Sequence, residues 1–96
     1  MPRNTSSRMF FYVYVLQSLK DLKYYIGLTH NLNRRIEEHE KGLAFATKFR
    51  VPFKLVYFEG YLAESDARER EKQIKQHGQA IRRLKDRIRN SLKEQS

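Results

Sequence analysis

Cysteine is absent from this chain of 96 residues. Its absence excludes a disulfide framework, a zinc ribbon and a thiol nucleophile. No apolar run approaches the roughly 20 residues that cross a bilayer. The basic start is followed by an apolar run too short and too aromatic for a signal peptide. We therefore expect a cytoplasmic protein that does not associate with membranes.

Acidic residues are scarce relative to basic ones. Eleven Asp and Glu stand against 20 Lys and Arg, which gives a formal net charge of +9. Such an excess on one small domain indicates a polyanionic partner, with nucleic acid the first choice and an anionic membrane surface the second. A glycine-rich phosphate loop, HExxH, GxSxG and clustered aspartates are also missing, so the sequence does not resemble a nucleotide-hydrolysing motor or a protease.

The hydrophobic pattern predicts one α+β domain. We expect a flexible N-terminal tail over residues 1–9 and a single domain over residues 10–92. Asn31 is a candidate N-cap and Gly42 a candidate C-cap for the first helix, and His77-Gly78 should separate the last two helices. The order ββαβαα then predicts a three-stranded antiparallel sheet flanked by helices. The predicted strands are residues 10–16, 24–28 and 53–61, and the predicted helices are residues 32–41, 64–76 and 79–92.

Glu71 is an anomaly of the second predicted helix. It falls on the same face as Ala67 and Ile74, which form the apolar stripe of this helix. A carboxylate that faces a core needs a cation, a hydrogen-bond network or a metal ion. Both a salt bridge to Arg35 or Arg70 and a metal site satisfy that need.

Arg35 and His39 lie four positions apart and so share a face of the first predicted helix. A guanidinium beside an imidazole suits a phosphate, because the first grips two oxygens and the second can transfer a proton. The alternative is a solvated helix face on which His39 complements the helix dipole.

Tyrosines mark the first two predicted strands. Tyr12 and Tyr14 point to one side of strand one, while Tyr25 shares a face with Gly27 on strand two. The glycine is expected to leave open space over the sheet, where a phosphate or a water could approach. Half-buried packing is the other reading of these side chains.

Candidate nucleic-acid contacts fall in two segments. The loop before strand three carries Lys48 and Arg50, and the basic C-terminal helix (79–92) carries the rest. That helix either tracks a phosphate backbone or is an ordinary amphipathic helix with a solvated face. The candidate DNA-binding residues are Lys48, Arg50, Arg82, Arg83 and Arg87.

Four segments in order resemble the motifs of the GIY-YIG nuclease superfamily, specifically its small stand-alone single-domain bacterial branch. They are Tyr12-Val13-Tyr14, with Tyr12 in place of the leading glycine; Tyr25-Ile26-Gly27; the arginine motif NLNRRIEEH over residues 31–39; and ARERE, which ends at Glu71. The segment over residues 46–61 also resembles the branch's Thr-Lys-x-Arg-x-Pro loop and the strand after it.

The resemblance implies an endonuclease that hydrolyses DNA phosphodiester bonds with one divalent cation, Mg²⁺ or Mn²⁺. Glu71 would be the metal ligand, Tyr14 would act on the attacking water, and Tyr25 would orient water or phosphate. Arg35 would stabilise charge on the phosphate, and His39 would share the proton transfer. Substrates would come from DNA repair, recombination or foreign DNA, and a protein partner would supply targeting.

Two other functions compete with this reading. One is a nucleic-acid-binding module of the same fold that does not cleave, and the other is a basic adaptor for an acidic protein. An inward-facing carboxylate favours the nuclease, because a binding module has no need of one.

Overall fold

A three-stranded antiparallel sheet in the order β2-β1-β3 lies at the centre of the computed structural model. The structure describes residues 9–76 and 78–93. The predicted α+β fold is confirmed. The strands are β1 (Phe11–Ser18), β2 (Tyr24–Thr29) and β3 (Phe53–Tyr61), and the helices are α1 (Leu32–Glu40), α2 (Glu64–Gln76), α3 (Gly78–Arg87) and α4 (Arg89–Lys93).

Two of the sequence expectations reach beyond the described residues. The proposed tail lies outside them except for Met9, and so does His77 of the predicted helix break. None of the described helices is both long enough and apolar enough to cross a membrane.

The β1–β2 hairpin is organised by Ser18, and β1 is longer than predicted because it continues to this residue. The Ser18 side chain is fully buried. Its Oγ donates to the carbonyl of Arg50 at 2.7 Å and accepts from the backbone N–H groups of Lys20 and Asp21. The same hydroxyl therefore closes the turn and attaches the loop before β3 to the end of β1.

Alternate residues of β1 pack on opposite faces of the sheet. Val13 and Val15 face α2 and α3, where they contact Ala67, Ile74 and Leu84 in two clusters. Tyr14 and Leu16 face the other way and pack with Phe53 beneath α1. The predicted tyrosine face and the main aliphatic core therefore lie on opposite faces of the sheet.

Capping fixes both ends of α1. The Asn31 side chain accepts from the backbone N–H of Arg34 at 3.2 Å, which confirms the predicted N-cap. The C-cap is Lys41, not Gly42 as predicted. Gly42 comes one residue later with φ of +74°, a left-handed conformation that glycine adopts without strain.

The predicted helix over residues 79–92 is two helices, α3 and α4, divided at Ile88. At the division the carbonyl of Asp86 accepts from the Arg89 guanidinium at 3.2 Å. The apolar stripe continues across the break, because Leu84, Ile88 and Leu92 all join the same cluster beneath β1 and β3. The interruption is therefore local.

Candidate functional site

A buried chain of hydrogen bonds connects β1, α1 and the following loop. The Tyr14 hydroxyl is hydrogen-bonded to Nε2 of His39 at 3.0 Å, and Nδ1 of the same ring to Oγ1 of Thr47 at 2.6 Å. Tyr14 is 1% exposed, and His39 and Thr47 are 0% exposed. Either neutral tautomer of His39 satisfies both bonds. With the proton on Nδ1 the ring donates to Thr47 and accepts from Tyr14, and with the proton on Nε2 it donates to Tyr14 and accepts from Thr47.

Aromatic packing holds the His39 ring in place. The centroids of the Tyr25 and His39 rings are 5.0 Å apart, and the Tyr14 ring lies 5.8 Å from His39 and 6.4 Å from Tyr25. Phe53 closes the other side at 6.0 Å. The structure thus brings three of the predicted site residues together, and the solvated helix face is wrong for His39.

Gly27 lets the Tyr14 side chain reach His39. Gly27 is the register partner of Tyr14 across β1 and β2. A Cβ at position 27 would overlap the Tyr14 hydroxyl and ring. The expectation of open space here is therefore wrong, because the Tyr14 ring itself fills that space.

Three other candidate groups contribute to the electrostatic environment of the Tyr14 hydroxyl. Burial raises its pKa above the usual 10.0, and the charges of Tyr25 and Glu71 raise it further. A hydrogen bond with Arg35 and the charge of that guanidinium act in the opposite direction. Tyr14 is consequently a neutral phenol at pH 7, and Glu71 lies close enough to influence it electrostatically.

His39 is neutral at physiological pH. Burial, together with the charge of Arg35, lowers the pKa of the imidazole from 6.5 to about 4. The protonated ring is disfavoured in this environment, so a proton that reached His39 would leave it readily.

Arg35 is held in place by a carboxylate on its own helix. Its Nη1 donates to Oε1 of Glu38 at 2.8 Å, and the side chain is 35% exposed. Glu38 and the Tyr14 hydroxyl both raise the pKa of Arg35, so it stays charged.

Arg35 also lines a cleft of about 360 Å³ between α1, the end of β2 and the start of α2. Arginines of α1 and α2 line this cleft, and guanidinium groups are suited to a phosphate. Its other lining residues are Phe11, Leu28, Thr29, His30, Arg34, Glu38, Glu64 and Arg68.

Glu71 lies on the inner side of α2, as its position on the apolar stripe predicted. Its side chain is 19% exposed and its Oε2 lies 3.0 Å from Nζ of Lys75, which is itself 49% exposed. A salt bridge to Arg35 or Arg70 is wrong, because these arginines pair with Glu38 and Glu59.

The donor set fits a divalent cation that keeps most of its water. Mg²⁺ commonly takes one or two protein carboxylates, and Glu71 offers one. Within residues 9–76 and 78–93, no cluster of three or more His, Asp or Glu side chains could hold a metal ion. Glu71 is the carboxylate among the predicted site residues that would hold such an ion.

The five candidate DNA-binding residues do not form one surface. Lys48 and Arg50 lie in the loop on the Tyr14 side of the sheet; Arg50 pairs with Asp21 at 3.1 Å, and its guanidinium lies over the Phe53 ring. The others lie on α3, behind the sheet. Of these, Arg83 and Arg87 line a cavity of about 470 Å³ with Arg70, whereas Arg82 is exposed outside it.

Sequence reasoning did not single out Thr47, Glu38 or Arg68. Thr47 lies in the Thr-Lys-x-Arg-x-Pro segment, and its position next to Lys48 was the available signal. The spacing of Arg35 and Glu38 on one helix also predicts a pair. Arg68 had no such signal, because its place beside α1 depends on the tertiary fold.

Comparisons with known proteins identify a matching family model and several relatives. Residues 10–86 match the family described as the GIY-YIG catalytic domain. A UPF0213 protein of Clostridium perfringens is 46% identical over 67% of this chain and 69% of its own length. A UPF0213 protein of Syntrophus aciditrophicus is 41% identical over 72% and 80%. The solution NMR structure of a UPF0213 protein from Bacillus halodurans is 36% identical, covers 88% of this chain and 86% of its own, and superposes with a TM-score of 0.50.

Proposed function

Because the chain belongs to the GIY-YIG catalytic-domain family, we propose that it is a divalent-metal-dependent endonuclease that hydrolyses DNA phosphodiester bonds. One observation supports this most. The electrostatic environment of the Tyr14 hydroxyl includes Tyr25, Arg35 and Glu71, and the same oxygen is hydrogen-bonded to His39. Four chemically suited side chains therefore act on the buried hydroxyl of Tyr14, which a module that only binds DNA does not require.

Arg35 is the group that grips the scissile phosphate. Its guanidinium is permanently charged and is oriented by Glu38, with part of its surface open to the cleft. Such a preorganised cation stabilises the charge that develops on the phosphoryl oxygens. Tyr25 stacks beside His39 and limits where a water or phosphate can lie.

The chain from Tyr14 to Thr47 carries the proton transfer. A neutral phenol gives its proton to Nε2 of His39 as it takes one from the attacking water, and Thr47 accepts the proton of Nδ1–H in a hydrogen bond. Once the P–O bond has broken, His39, whose pKa is lowered to about 4, gives that proton back through Tyr14 to the departing oxygen, so the water proton ends on the leaving group. A divalent cation on Glu71 would supply neutralisation of phosphate charge.

Glu71→Gln tests the metal site, with Glu69→Gln as the matched control. Both residues lie on α2, but Glu69 is exposed, and its carboxylate accepts a hydrogen bond from Gln73 on the same helix. With Mg²⁺ or Mn²⁺, we expect cleavage of labelled DNA to fall by roughly a thousandfold in Glu71→Gln and to stay at the parental rate in Glu69→Gln. Mg²⁺ should raise the melting temperature of the parent and of Glu69→Gln only.

Loss of stability will not explain an inactive Glu71→Gln. The pair with Lys75 is an i,i+4 contact to a half-exposed lysine, and such pairs contribute about 0.5 kcal/mol. A parent protein that binds DNA but does not cleave it with either metal would instead identify a non-cleaving module. Equal cleavage by the two variants would remove Glu71 from the mechanism.

A further inference from the structure

The loop after α1 exposes large apolar side chains beside the candidate site. Phe45 is 84% exposed, Phe49 is 76% exposed and Leu43 is 70% exposed. The neighbouring Ala44 and Thr47 are buried, at 4% and 0%. The loop is therefore anchored by Ala44 and Thr47, and the two rings are presented to solvent from a fixed backbone.

Lys48 connects the two rings. Its Nζ lies 5.0 Å from the centroid of Phe45 and 4.9 Å from that of Phe49. Each ring keeps most of its surface open with the ammonium in this position. Aromatic faces alternating with a cation match single-stranded nucleic acid, in which a base stacks on a ring while the adjacent phosphate meets a positive charge.

The position of the loop relates it to the proposed chemistry. Thr47, between the two phenylalanines, is hydrogen-bonded to His39, which is hydrogen-bonded to Tyr14. A nucleotide on these rings would therefore lie on the Tyr14 side of the sheet, where Arg35 interacts with the Tyr14 hydroxyl. In an intact duplex the bases are stacked inside the helix, and bringing one out costs free energy that an unpaired base does not incur.

We propose that Phe45, Lys48 and Phe49 form a base-stacking site for unpaired nucleotides, so that the substrate is DNA with a single-stranded segment next to the scissile bond. The inference rests on the proposed nuclease function for its link to cleavage. Stacking itself is measurable without metal and without cleavage. A protein partner fits the patch less well, because the net charge of +9 and the ammonium between the rings favour a polyanion.

Tryptophan is absent from the chain, so Phe49→Trp introduces a single fluorescent reporter. Its matched control is Phe10→Trp. Phe10 is 41% exposed and precedes the start of β1, whereas Ser18 attaches the loop to the other end of that strand. In EDTA, we expect single-stranded oligo(dT) to quench Phe49→Trp at a concentration at least tenfold lower than an equally long duplex does. Phe10→Trp should change little with either ligand.

Removal of the rings supplies the second measurement. Phe45→Ala/Phe49→Ala should bind oligo(dT) roughly a hundredfold more weakly than the parent, from about tenfold for each stacked base. The control Leu19→Ala/Leu62→Ala removes two leucines that are 50% and 53% exposed and should keep parental affinity. All four exposed side chains are dispensable for the core, so melting temperatures should agree within a few degrees.

Three results would overturn the proposal. The first is equal quenching of Phe49→Trp and Phe10→Trp by oligo(dT). The second is an unchanged affinity of Phe45→Ala/Phe49→Ala for oligo(dT). The third is tighter binding of duplex than of single-stranded DNA, both in the parent and in the variant without the two rings. If that variant keeps its DNA affinity but loses self-association in sedimentation, the patch is a protein interface and the proposal is wrong. An absence of cleavage in every protein would contradict the nuclease and leave the stacking result valid by itself.

Discussion

Acidification should destabilise the folded protein through His39. The ring is fully buried, and burial together with Arg35 lowers its pKa from 6.5 to about 4. In the unfolded chain the ring regains its ordinary pKa, so the unfolded state binds the additional proton first as the pH falls. The stability that His39 contributes is therefore complete above pH 6.5 and is lost progressively toward pH 4.

The magnitude follows from the two pKa values. The lowering of the His39 pKa from 6.5 to about 4 corresponds to a loss of roughly 3 kcal/mol in the free energy of unfolding once the pH is below both values. Between pH 7 and pH 5 the same linkage relation gives a loss of about 2 kcal/mol. A domain of this size is typically stable by about 5–10 kcal/mol, so this loss is readily measured.

Urea unfolding at pH 5, 6 and 7 would measure the effect in the parent and in His39→Gln. Glutamine keeps a donor and an acceptor for Tyr14 and Thr47 but does not titrate. Subtracting the pH dependence of the variant removes the contribution of the carboxylates, which titrate mainly at lower pH. The free energy of unfolding of the parent should fall by about 2 kcal/mol more than that of the variant. Parallel losses in the two proteins would refute the reasoning.

Three further substitutions test other contacts. Gly27→Ala should cost about 1–3 kcal/mol in thermal unfolding and abolish cleavage, because the new methyl group occupies the position of the Tyr14 hydroxyl. Arg35→Lys keeps the charge but not the planar fork, so cleavage should fall roughly a hundredfold at unchanged melting temperature. Glu59→Gln breaks a pair with Arg70 that is only partly exposed, and urea unfolding should show a loss of about 2 kcal/mol. A variant that unfolds and cleaves like the parent would contradict the contact or role assigned to the residue that was replaced.

Glu59 shows why such networks are difficult to predict from sequence. It accepts hydrogen bonds from Tyr57, Tyr61 and Arg70. Burial opposes its ionisation, but these bonds outweigh burial and lower the pKa of the carboxyl. Burial and the same carboxylate raise the pKa of Tyr61 to about 12. Alternation along β3 predicts that the tyrosines and Glu59 share a face, whereas the arrival of Arg70 depends on how α2 crosses the sheet.

Regular elements were the most predictable part of the fold. The bounds of β3 and α2 follow from the flanking turn residues and from the change from an alternating to a helical apolar period. The division at Ile88 was not predictable, because the apolar stripe continues across it and the contact between Arg89 and Asp86 is a choice of side-chain conformer.

The candidate site was predictable as a set of residues but not as an arrangement. Spacing and resemblance identified Tyr14, Arg35 and His39. Neither indicated that His39 would be fully buried, because its burial depends on the loop that folds back to place Thr47 against it. The i,i+4 spacing of Glu71 and Lys75 on α2 also predicts the pair that forms, but the sequence analysis considered only Arg35 and Arg70 as partners.

The alternation along β1 has a consequence for insertions and deletions. Deleting one residue beside Val13 would turn Tyr14 toward α2 and carry an aliphatic side chain under α1, since successive residues point to opposite faces. β1 pairs with both β2 and β3. A one-residue shift of β1 that turned Tyr14 back to its own face would therefore disrupt the pairing with both neighbours. An insertion or deletion in this central strand should therefore be far more damaging than one of equal length in the loop over residues 43–52, where no strand pairing depends on the number of residues.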